Sequence, residues 1–280
     1  MAETGPLDPF AVAQATVRTA DRDRYTADLF LPEPARRHIF ALHAFNAEVA
    51  RVRDAVSDPQ LGEIRLQWWR DALNGDDGGH PIATAVRRTI AEFKLPVAAF
   101  ERLLDARTFD LYDDPMPTLN DLEGYAGDTS SSLIQLAAIV LAGGRDPGTA
   151  EAAGHAGVAY AITGLLRALP FHARRGQQYL PQDVLAKHGA DPAAVFSGQS
   201  TAALRAVLAD LRERARDHLA RGERALAALT GDVKLAFLPM TLVRPYLDLM
   251  ERPRYEPLGQ PADLSAWRRP WILWRATRRL

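Results

Sequence analysis

Apolar residues recur along most of the chain at the three- and four-residue spacing of an α-helix. Two long segments, residues 36–56 and 201–229, show the pattern best. The apolar positions are Ile39, Leu42, Phe45, Val49, Val52 and Val56 in the first segment, and Leu204, Leu208, Leu211, Ala215, Leu219 and Leu226 in the second. No stretch alternates between apolar and polar residues as a strand does. Turns rich in Gly, Pro and Asp separate the segments, so the pattern predicts one all-α domain of roughly eight to ten helices.

The composition is that of an ordinary globular protein and narrows the function only a little. The 280 residues suffice for one large hydrophobic core. Lys and Arg total 34 against 35 for Asp and Glu, which argues against a nucleic-acid partner. There is no cysteine, so thiolate and iron–sulfur chemistry are excluded. The N-terminal stretch carries acids, and no window reaches the roughly 18 apolar residues of a membrane span, so we expect a cytoplasmic protein.

One aspartate-rich stretch is a candidate for cation binding. Asp110 and Asp114 have the i, i+4 spacing that would place both carboxylates on one helical face. Asp113 and Asp114 also precede Pro115, which is a context typical of a turn. Further along, Asp128 or Thr129 is expected to cap the N-terminus of the apolar helix that begins in "SSSLIQLAAIVLAG".

A basic segment at residues 165–189 is a candidate for anion binding. Arg167, Arg174 and Arg175 cluster there, close to Tyr179 and to a Leu-Pro helix entry. Guanidinium groups in such a cluster would suit a diphosphate or a phospholipid headgroup. The alternative is a solvated basic turn with no ligand.

The last residues of the chain, 264–280, are rich in tryptophan and arginine. Trp267, Trp271 and Trp274 recur at helical spacing, with arginines between and after them. Tryptophan favours the membrane–water interface and arginine attracts anionic headgroups, so this tail could dock on a membrane. The alternative is that the tryptophans pack on their own domain, with Pro270 interrupting a continuous helix.

Five quoted pieces, in order, resemble the squalene/phytoene synthase family over about residues 22–250. They are "YTADLFLPEPARRHIFALHAF", "RLQWWRDAL", "HPIATAV", "GYAGDTSSSL" and "HARRGQQYLPQDVLAKHG". The resemblance implies a single-domain isoprenoid-synthase-like helical bundle over residues 1–280, built around a central cavity. It also implies that residues 36–56 and 155–175 line that cavity. In the family, two aspartate-rich motifs on such helices hold the Mg²⁺ ions that bind prenyl diphosphates.

The family motifs are largely missing from this chain. Laid on the sequence, the first motif falls on Ala47, Ala50, Arg51 and Asp54, and the second falls on Gly164, Arg167, Ala168 and His172. Of five motif aspartates only Asp54 remains, and Pro170 is expected to kink or end the second motif helix. We therefore expect no metal cofactor, with Mg²⁺ required only if prenyl transfer persists. Without metal, the arginines of the basic segment are expected to pair with carboxylates such as Asp54 or Glu48.

The stretches that carry these departures, together with their surroundings, resemble proteins related to mitochondrial complex I assembly factor six. They are "AFNAEVARVRD", "GEIRLQWWRDAL", "YAGDTSSSLIQL" and "RALPFHARRGQQYLP". That resemblance implies a non-catalytic role in building the NADH–quinone oxidoreductase, with complex I subunits or assembly intermediates as partners. It also implies a peripheral position on the inner face of the cytoplasmic membrane. Two alternatives stay open. One is an active head-to-head prenyl transferase that uses Asp54, Asp110 and Asp114, and the other is a polyprenyl- or quinone-binding protein that retains the apolar cavity.

Overall fold

The structure is helical, as the spacing of the apolar residues predicts. The structure is a computed structural model that describes residues 8–279, and within that range it contains helices and no strand. The fourteen α-helices of this range are α1 (Pro9–Ala20), α2 (Arg22–Asp28), α3 (Ala35–Ala50), α4 (Pro59–Asn74), α5 (Pro81–Phe93), α6 (Val97–Thr108), α7 (Leu119–Ala126), α8 (Ser132–Leu141), α9 (Ala150–Arg174), α10 (Gln182–Lys187), α11 (Pro192–Phe196), α12 (Ala202–Ala227), α13 (Val243–Met250) and α14 (Arg268–Thr277). The predicted all-α class is confirmed.

The prediction of eight to ten helices was too low, because several connections are themselves helical. Short 3₁₀ turns form at Arg53–Ala55 and Phe109–Leu111, and a longer one runs over Asp232–Leu242. The brief helices α10 and α11 lie between α9 and α12, where α11 begins at Pro192 with the Asp191 carboxylate accepting from the Ala193 amide. Proline in the first turn and aspartate at the N-cap are favourable even for one turn of helix.

The two longest helices, α9 and α12, pack along each other through the centre of the molecule. Small residues permit the close approach. A methyl group on Gly222 of α12 would lie 3.1 Å from the Ala156 amide nitrogen of α9. On another side of α9, a methyl group on Gly157 would overlap the Cα and Oγ of Ser131. These contacts place α9 at the middle of one continuous hydrophobic core.

Helices α7 and α8 are joined by a π-helical turn at Gly127–Ser131. The predicted N-cap at Asp128 or Thr129 is therefore wrong, since the backbone is already helical there. The Thr129 hydroxyl donates to the Tyr125 carbonyl four residues earlier, at 2.6 Å, instead of accepting from the next turn. A hydroxyl that bonds back along its own helix does not mark a helix start.

Both helices that carry the family motif positions differ in extent from the prediction. Helix α3 ends at Ala50, and residues 53–55 follow as a 3₁₀ turn, so the periodic segment 36–56 is not one helix. Helix α9, in contrast, continues four residues past Pro170 to Arg174. Of the two outcomes predicted for Pro170, a kink or an end of the helix, the end is wrong, because burial on the hydrophobic core offsets the missing amide hydrogen bond.

The C-terminal residues form helix α14, which belongs to the fold on one face. Leu273 and Arg269 are buried, and the helix packs against α2 and against the 3₁₀ segment Asp232–Leu242. Pro270 lies in the first turn of α14, where no amide hydrogen bond is needed, so it does not interrupt the helix. Among residues 8–279, no helix has the length and apolar content needed to cross a membrane.

Candidate functional site

The two motif helices meet at one open pocket of about 590 Å³. Helix α3 contributes Ala50 from its last turn, and helix α9 contributes Gly164, Arg167 and Ala168. The rest of the wall comes from the junction of α1 with α2 and from the C-terminal part of the chain. The structure thus brings half of the motif positions together on one surface, which we call the motif pocket.

The other four motif positions lie outside the motif pocket. Ala47 lies half-buried on α3. Arg51 points away and donates to Glu48 at 2.6 Å. Asp54 is exposed and forms an ion pair with Arg175, while His172 lies deeper in the molecule beside Tyr179.

Asp23 is the centre of the motif pocket. This aspartate of α2 is only 5% exposed. It accepts from Arg167 Nη1 at 2.9 Å, from the Tyr246 hydroxyl at 2.8 Å, and from Arg269 Nε. Burial raises the pKa of Tyr246, so its hydroxyl stays protonated and donates. One carboxylate therefore binds two guanidinium groups and a phenol.

The arginines around Asp23 have further partners. Arg167 donates from Nε to the Ala262 carbonyl at 2.9 Å, and its guanidinium carbon lies 3.5 Å from the centre of the Tyr246 ring. Arg269 donates from Nη2 to Asp263 at 2.7 Å. Burial opposes the charge on Arg269, but Tyr246 and Asp23 outweigh that effect and raise its pKa. Both guanidinium groups have carboxylate and hydrogen-bond partners within the protein, so neither needs a ligand to neutralise its charge.

The predicted arginine pairings hold for one residue and fail for another. Arg175 forms its ion pair with Asp54, as predicted. Arg167 pairs with Asp23 and, at 3.6 Å, with Asp263, and not with Asp54 or Glu48. Arg174 is exposed and donates to the Gly259 carbonyl at 3.3 Å, and neither residue lines the motif pocket. The expected basic cluster is therefore divided among three separate sets of contacts.

Tyr179 and Asp110 belong to a second buried network, away from the motif pocket. Asp110 accepts from Arg107 at 3.0 Å, from Tyr125 at 2.9 Å and from Tyr179 at 2.7 Å. Arg107 also donates to the Asn46 side chain of α3 at 3.3 Å. Burial raises the pKa of both tyrosines well above the usual range, so each hydroxyl remains a donor. The network ties α3, α6 and α7 to the loop after α9.

The three aspartates of the transferase alternative do not converge. Asp110 is buried in the network just described, whereas Asp114 is exposed in the loop after the 3₁₀ turn Phe109–Leu111. The prediction that the two share a helical face is wrong, because helix geometry ends at Leu111. Asp54 is engaged by Arg175 on the surface. Over residues 8–279, no group of three or more His, Asp or Glu side chains is arranged to hold a metal ion.

The residues of the motif pocket do not fit the Mg²⁺ ions that the family motifs hold. A magnesium ion needs several oxygen ligands in near-octahedral geometry. Ala50 and Ala168 present methyl groups where the motifs have aspartates. The carboxylates that do line the pocket already serve cations: Asp21 pairs with Arg24, Asp263 with Arg269, and Asp23 with both buried arginines. The donor set is therefore consumed by internal ion pairs.

Helix α9 also borders a second, much smaller space. The space between α7, α9 and α12 measures about 10 Å³, which is room for about one water molecule. Its walls are mostly leucine side chains of these helices, together with Ile162, His172, and Tyr179 and Leu180 from the loop after α9. Of the two spaces, the motif pocket is the larger and the open one, and the space between α7, α9 and α12 is too small for a prenyl chain.

Solved structures of a dehydrosqualene synthase and a squalene synthase share this architecture. A dehydrosqualene synthase superimposes with a TM-score of 0.84 over 97% of this chain and 96% of its own, at 19% identity. The squalene synthase from Alicyclobacillus acidocaldarius gives 0.76 over 87% and 93%, at 21% identity. At these identities the likeness shows the fold. The isoprenoid-synthase-like bundle predicted from the sequence is confirmed.

The family is shown by sequence. A family model for squalene/phytoene synthase matches residues 17–275, and the chain belongs to that family. The protein named NADH dehydrogenase (ubiquinone) complex I, assembly factor 6, from Rattus norvegicus is 32% identical over 84% of this chain and 72% of its own length. Its Homo sapiens counterpart is 30% identical over the same shares. A 15-cis-phytoene synthase from Synechococcus elongatus is 27% identical over 94% and 92%.

Sequence reasoning missed the residues that complete the motif pocket: Asp23, Tyr246, Asp263 and Arg269. A signal was present in Arg167, since a guanidinium on a helix facing the core requires a buried acid. The acid lies 144 positions away, and its other partners lie at the opposite end of the chain. No local spacing reveals such pairings, because they form only when the termini meet at α9.

Proposed function

We propose that this protein is a non-catalytic member of the squalene/phytoene synthase family that serves as an assembly factor for respiratory complex I, the NADH–quinone oxidoreductase. The observation that carries the proposal is the closed ion-pair cluster of Asp23, Arg167 and Arg269. It lies where the resemblance puts metal and diphosphate in the enzymes of the family.

The chemistry of prenyl transfer explains why this cluster disfavours catalysis. Departure of a diphosphate requires several positive charges that are free to stabilise it, and in the family these come largely from bound Mg²⁺. Here the motif pocket offers methyl groups at Ala50 and Ala168 and two arginines that are already neutralised by Asp23 and Asp263. A diphosphate would have to break internal ion pairs before it could bind.

The assembly role is supported by relatives, not by a binding surface. Proteins named complex I assembly factor 6 match this chain at 30–32% identity across 84% of its length. We propose complex I subunits or assembly intermediates as the partners on that ground. A scaffold whose former reaction centre is closed by ion pairs is compatible with such a role, because binding a partner requires a stable surface and no metal.

The assembly role is tested in the native host by deleting the coding sequence. NADH–quinone oxidoreductase activity of membranes is expected to fall, with succinate–quinone activity unchanged as the control. A tagged chain restored to the deletion strain is expected to recover the activity and to copurify complex I subunits after mild crosslinking. Unchanged NADH–quinone activity in the deletion strain would refute the assembly role.

A separate experiment tests the loss of catalysis. Purified protein is titrated with Mg²⁺ by calorimetry, with and without farnesyl diphosphate, and assayed for C30 and C40 hydrocarbon products. We expect neither a stoichiometric metal site nor product. Turnover of farnesyl or geranylgeranyl diphosphate would overturn the non-catalytic part of the proposal and leave the assembly role to be judged by the deletion strain.

A further inference from the structure

We propose that a groove between α12 and α14 binds one acyl chain of an anionic phospholipid, so that α14 docks the protein on an anionic membrane surface. This inference concerns a site remote from the motif pocket. It stands or falls independently of the assembly role.

The groove has the size and lining of a site for an apolar chain. It encloses about 460 Å³, within the range of small-molecule pockets. Its floor is formed by Leu219 and Leu226 of α12 and by Met240, and Ile272 of α14 closes one side. Helix α14 is held beside the groove by its packing against α2 and against the 3₁₀ segment Asp232–Leu242, which also contributes Met240 to the floor.

Cations surround the opening of the groove. Lys234, Arg244, Arg275 and Arg279 line it, against one acid, Glu223. That acid pairs with Arg244 at 3.1 Å. Lys234 and Arg275 form no ion pair with any carboxylate of residues 8–279, in contrast to the satisfied arginines of the motif pocket. An apolar floor with a cationic opening is complementary to a lipid that has an anionic head.

The tryptophans of the tail face outward beside this opening. Trp267, Trp271 and Trp274 are 71%, 48% and 43% exposed, and Trp271 also lines the groove, so each presents a large part of its ring to the surroundings. Arg275 lies 4.7 Å from the ring of Trp271, and Arg278 lies 4.0 Å from that of Trp274. Exposed tryptophan paired with arginine on one helical face is the composition of a segment that lies in the membrane interface.

Charge favours an anionic surface over a second copy of this chain. The last 16 residues hold five arginines and no acid, and all of these arginines except the buried Arg269 are at least partly exposed, whereas the whole chain has a net charge of −1. The remainder of the protein is therefore acidic, and an anionic surface would attract α14 and repel the other faces. Two copies that met through α14 would bring like charges together. The asymmetry orients the molecule with α14 towards the lipid.

The experiment is cosedimentation of the full chain with vesicles of phosphatidylcholine, alone or mixed in equal parts with phosphatidylglycerol. Binding is expected only to the mixed vesicles, and it should weaken as salt is raised. The variant Lys234→Gln/Arg275→Gln should bind about thirtyfold more weakly, from the usual contribution of one basic residue near an anionic surface. Its control, Arg18→Gln/Arg88→Gln, loses the same charge from exposed positions on α1 and α5 and should bind like the wild type.

A second pair of variants separates chain insertion from attraction to the surface. Ala227 lines the groove and is exposed, so Ala227→Phe fills the groove without disturbing the core. It should weaken vesicle binding at least tenfold, since each buried methylene contributes roughly fourfold. The neighbouring Ala228→Phe adds the same bulk at an exposed position outside the groove and should have no effect.

Three outcomes would overturn the proposal. They are absence of binding to the mixed vesicles at low salt, equal loss of binding in the two charge variants, and wild-type binding by Ala227→Phe. Light scattering is run on the same samples. A concentration-dependent dimer that Ala227→Phe abolishes would show that a second copy, and not lipid, occupies the groove.

Discussion

Arg167 Nη1 lies 2.9 Å from Asp23 Oδ2, although 144 positions separate the two residues. The bond joins α2 to the middle of the molecule, and Arg269 adds the C-terminal helix to the same carboxylate. Arg167 is the one arginine retained from the family motifs. In this chain it holds three distant segments together, which is a structural role.

Removing the charge of Asp23 should destabilise the protein strongly. Asp23→Asn leaves the buried guanidinium of Arg269 and the half-buried one of Arg167 without their shared counter-ion, although Asp263 remains a partner of both. We expect a loss of about 3 kcal/mol, at the lower end of the cost of breaking a buried pair. Chemical denaturation should show this loss in the free energy of unfolding. The control is Asp76→Asn, an exposed aspartate in the turn before α5, which should change stability by less than about 0.5 kcal/mol. Similar values for both variants would contradict the central position assigned to Asp23.

Two glycines of α9 should respond in opposite ways to alanine. In Gly157→Ala the new methyl overlaps Ser131, so we expect a loss of about 2 kcal/mol or more from forced separation of α9 and the π-helical turn. Gly154, one turn earlier, has open space at this position, and Gly154→Ala should be neutral or stabilising by up to about 1 kcal/mol. Thermal unfolding of the two variants provides the comparison. A stable Gly157→Ala protein would show that the packing is looser than the structure indicates.

The Asp110 network should depend on the Tyr179 hydroxyl. Tyr179→Phe removes a buried donor 2.7 Å from the carboxylate, at a cost of about 2 kcal/mol for a hydrogen bond to a charged group. Tyr112→Phe is the control, because that exposed hydroxyl donates to Glu63 at 2.6 Å in contact with solvent. It should cost less than about 0.5 kcal/mol. The measurement is again denaturant unfolding, and equal losses would contradict the distinction in burial.

His172 should make the protein less stable in acid. Burial lowers the pKa of His172 in the folded state below its ordinary value of 6.5. As the pH falls through 6.5, the unfolded chain binds a proton that the folded chain does not, so the free energy of unfolding decreases. His172→Gln should therefore lose less stability than the wild type between pH 7.5 and pH 5.5. Parallel pH dependences of the two proteins would show that His172 does not contribute.

Local patterns were sufficient for the helices but not for their ends. The periodicity located α3 and α12, because an apolar stripe that faces the core repeats every three or four residues. The same periodicity extended the predicted α3 beyond Ala50, where the helix ends. The reason is that the buried Val52 continues the apolar stripe although it lies in the turn after the helix. It also left open that Pro170 ends the helix, since the packing that holds α9 together beyond Pro170 cannot be inferred from the neighbouring residues.

The motif positions could be located from the sequence, but their contacts could not. Ala50 and Ala168 line one pocket. Their positions could be assigned from the sequence because the family resemblance aligns both motifs with this chain. Arg175 forms an ion pair with Asp54, as predicted. The partner of Arg167 was misassigned, because the choice among several acids depends on where α2 and α14 dock. That docking is a tertiary event without a local sequence signal.

The shared carboxylate of Asp23 also bears on how reversible the loss of the aspartate motifs is. New aspartates at positions 50 and 168 would face Arg167, and each would compete with Asp23 for the same guanidinium. Drawing Arg167 away would weaken the attachment of α2 and α14, so a return towards ligand binding would be opposed by the stability of the fold. Installing the motif aspartates in this protein would therefore require a second anchor for α2 and α14, which a designed ion pair elsewhere on these helices could supply.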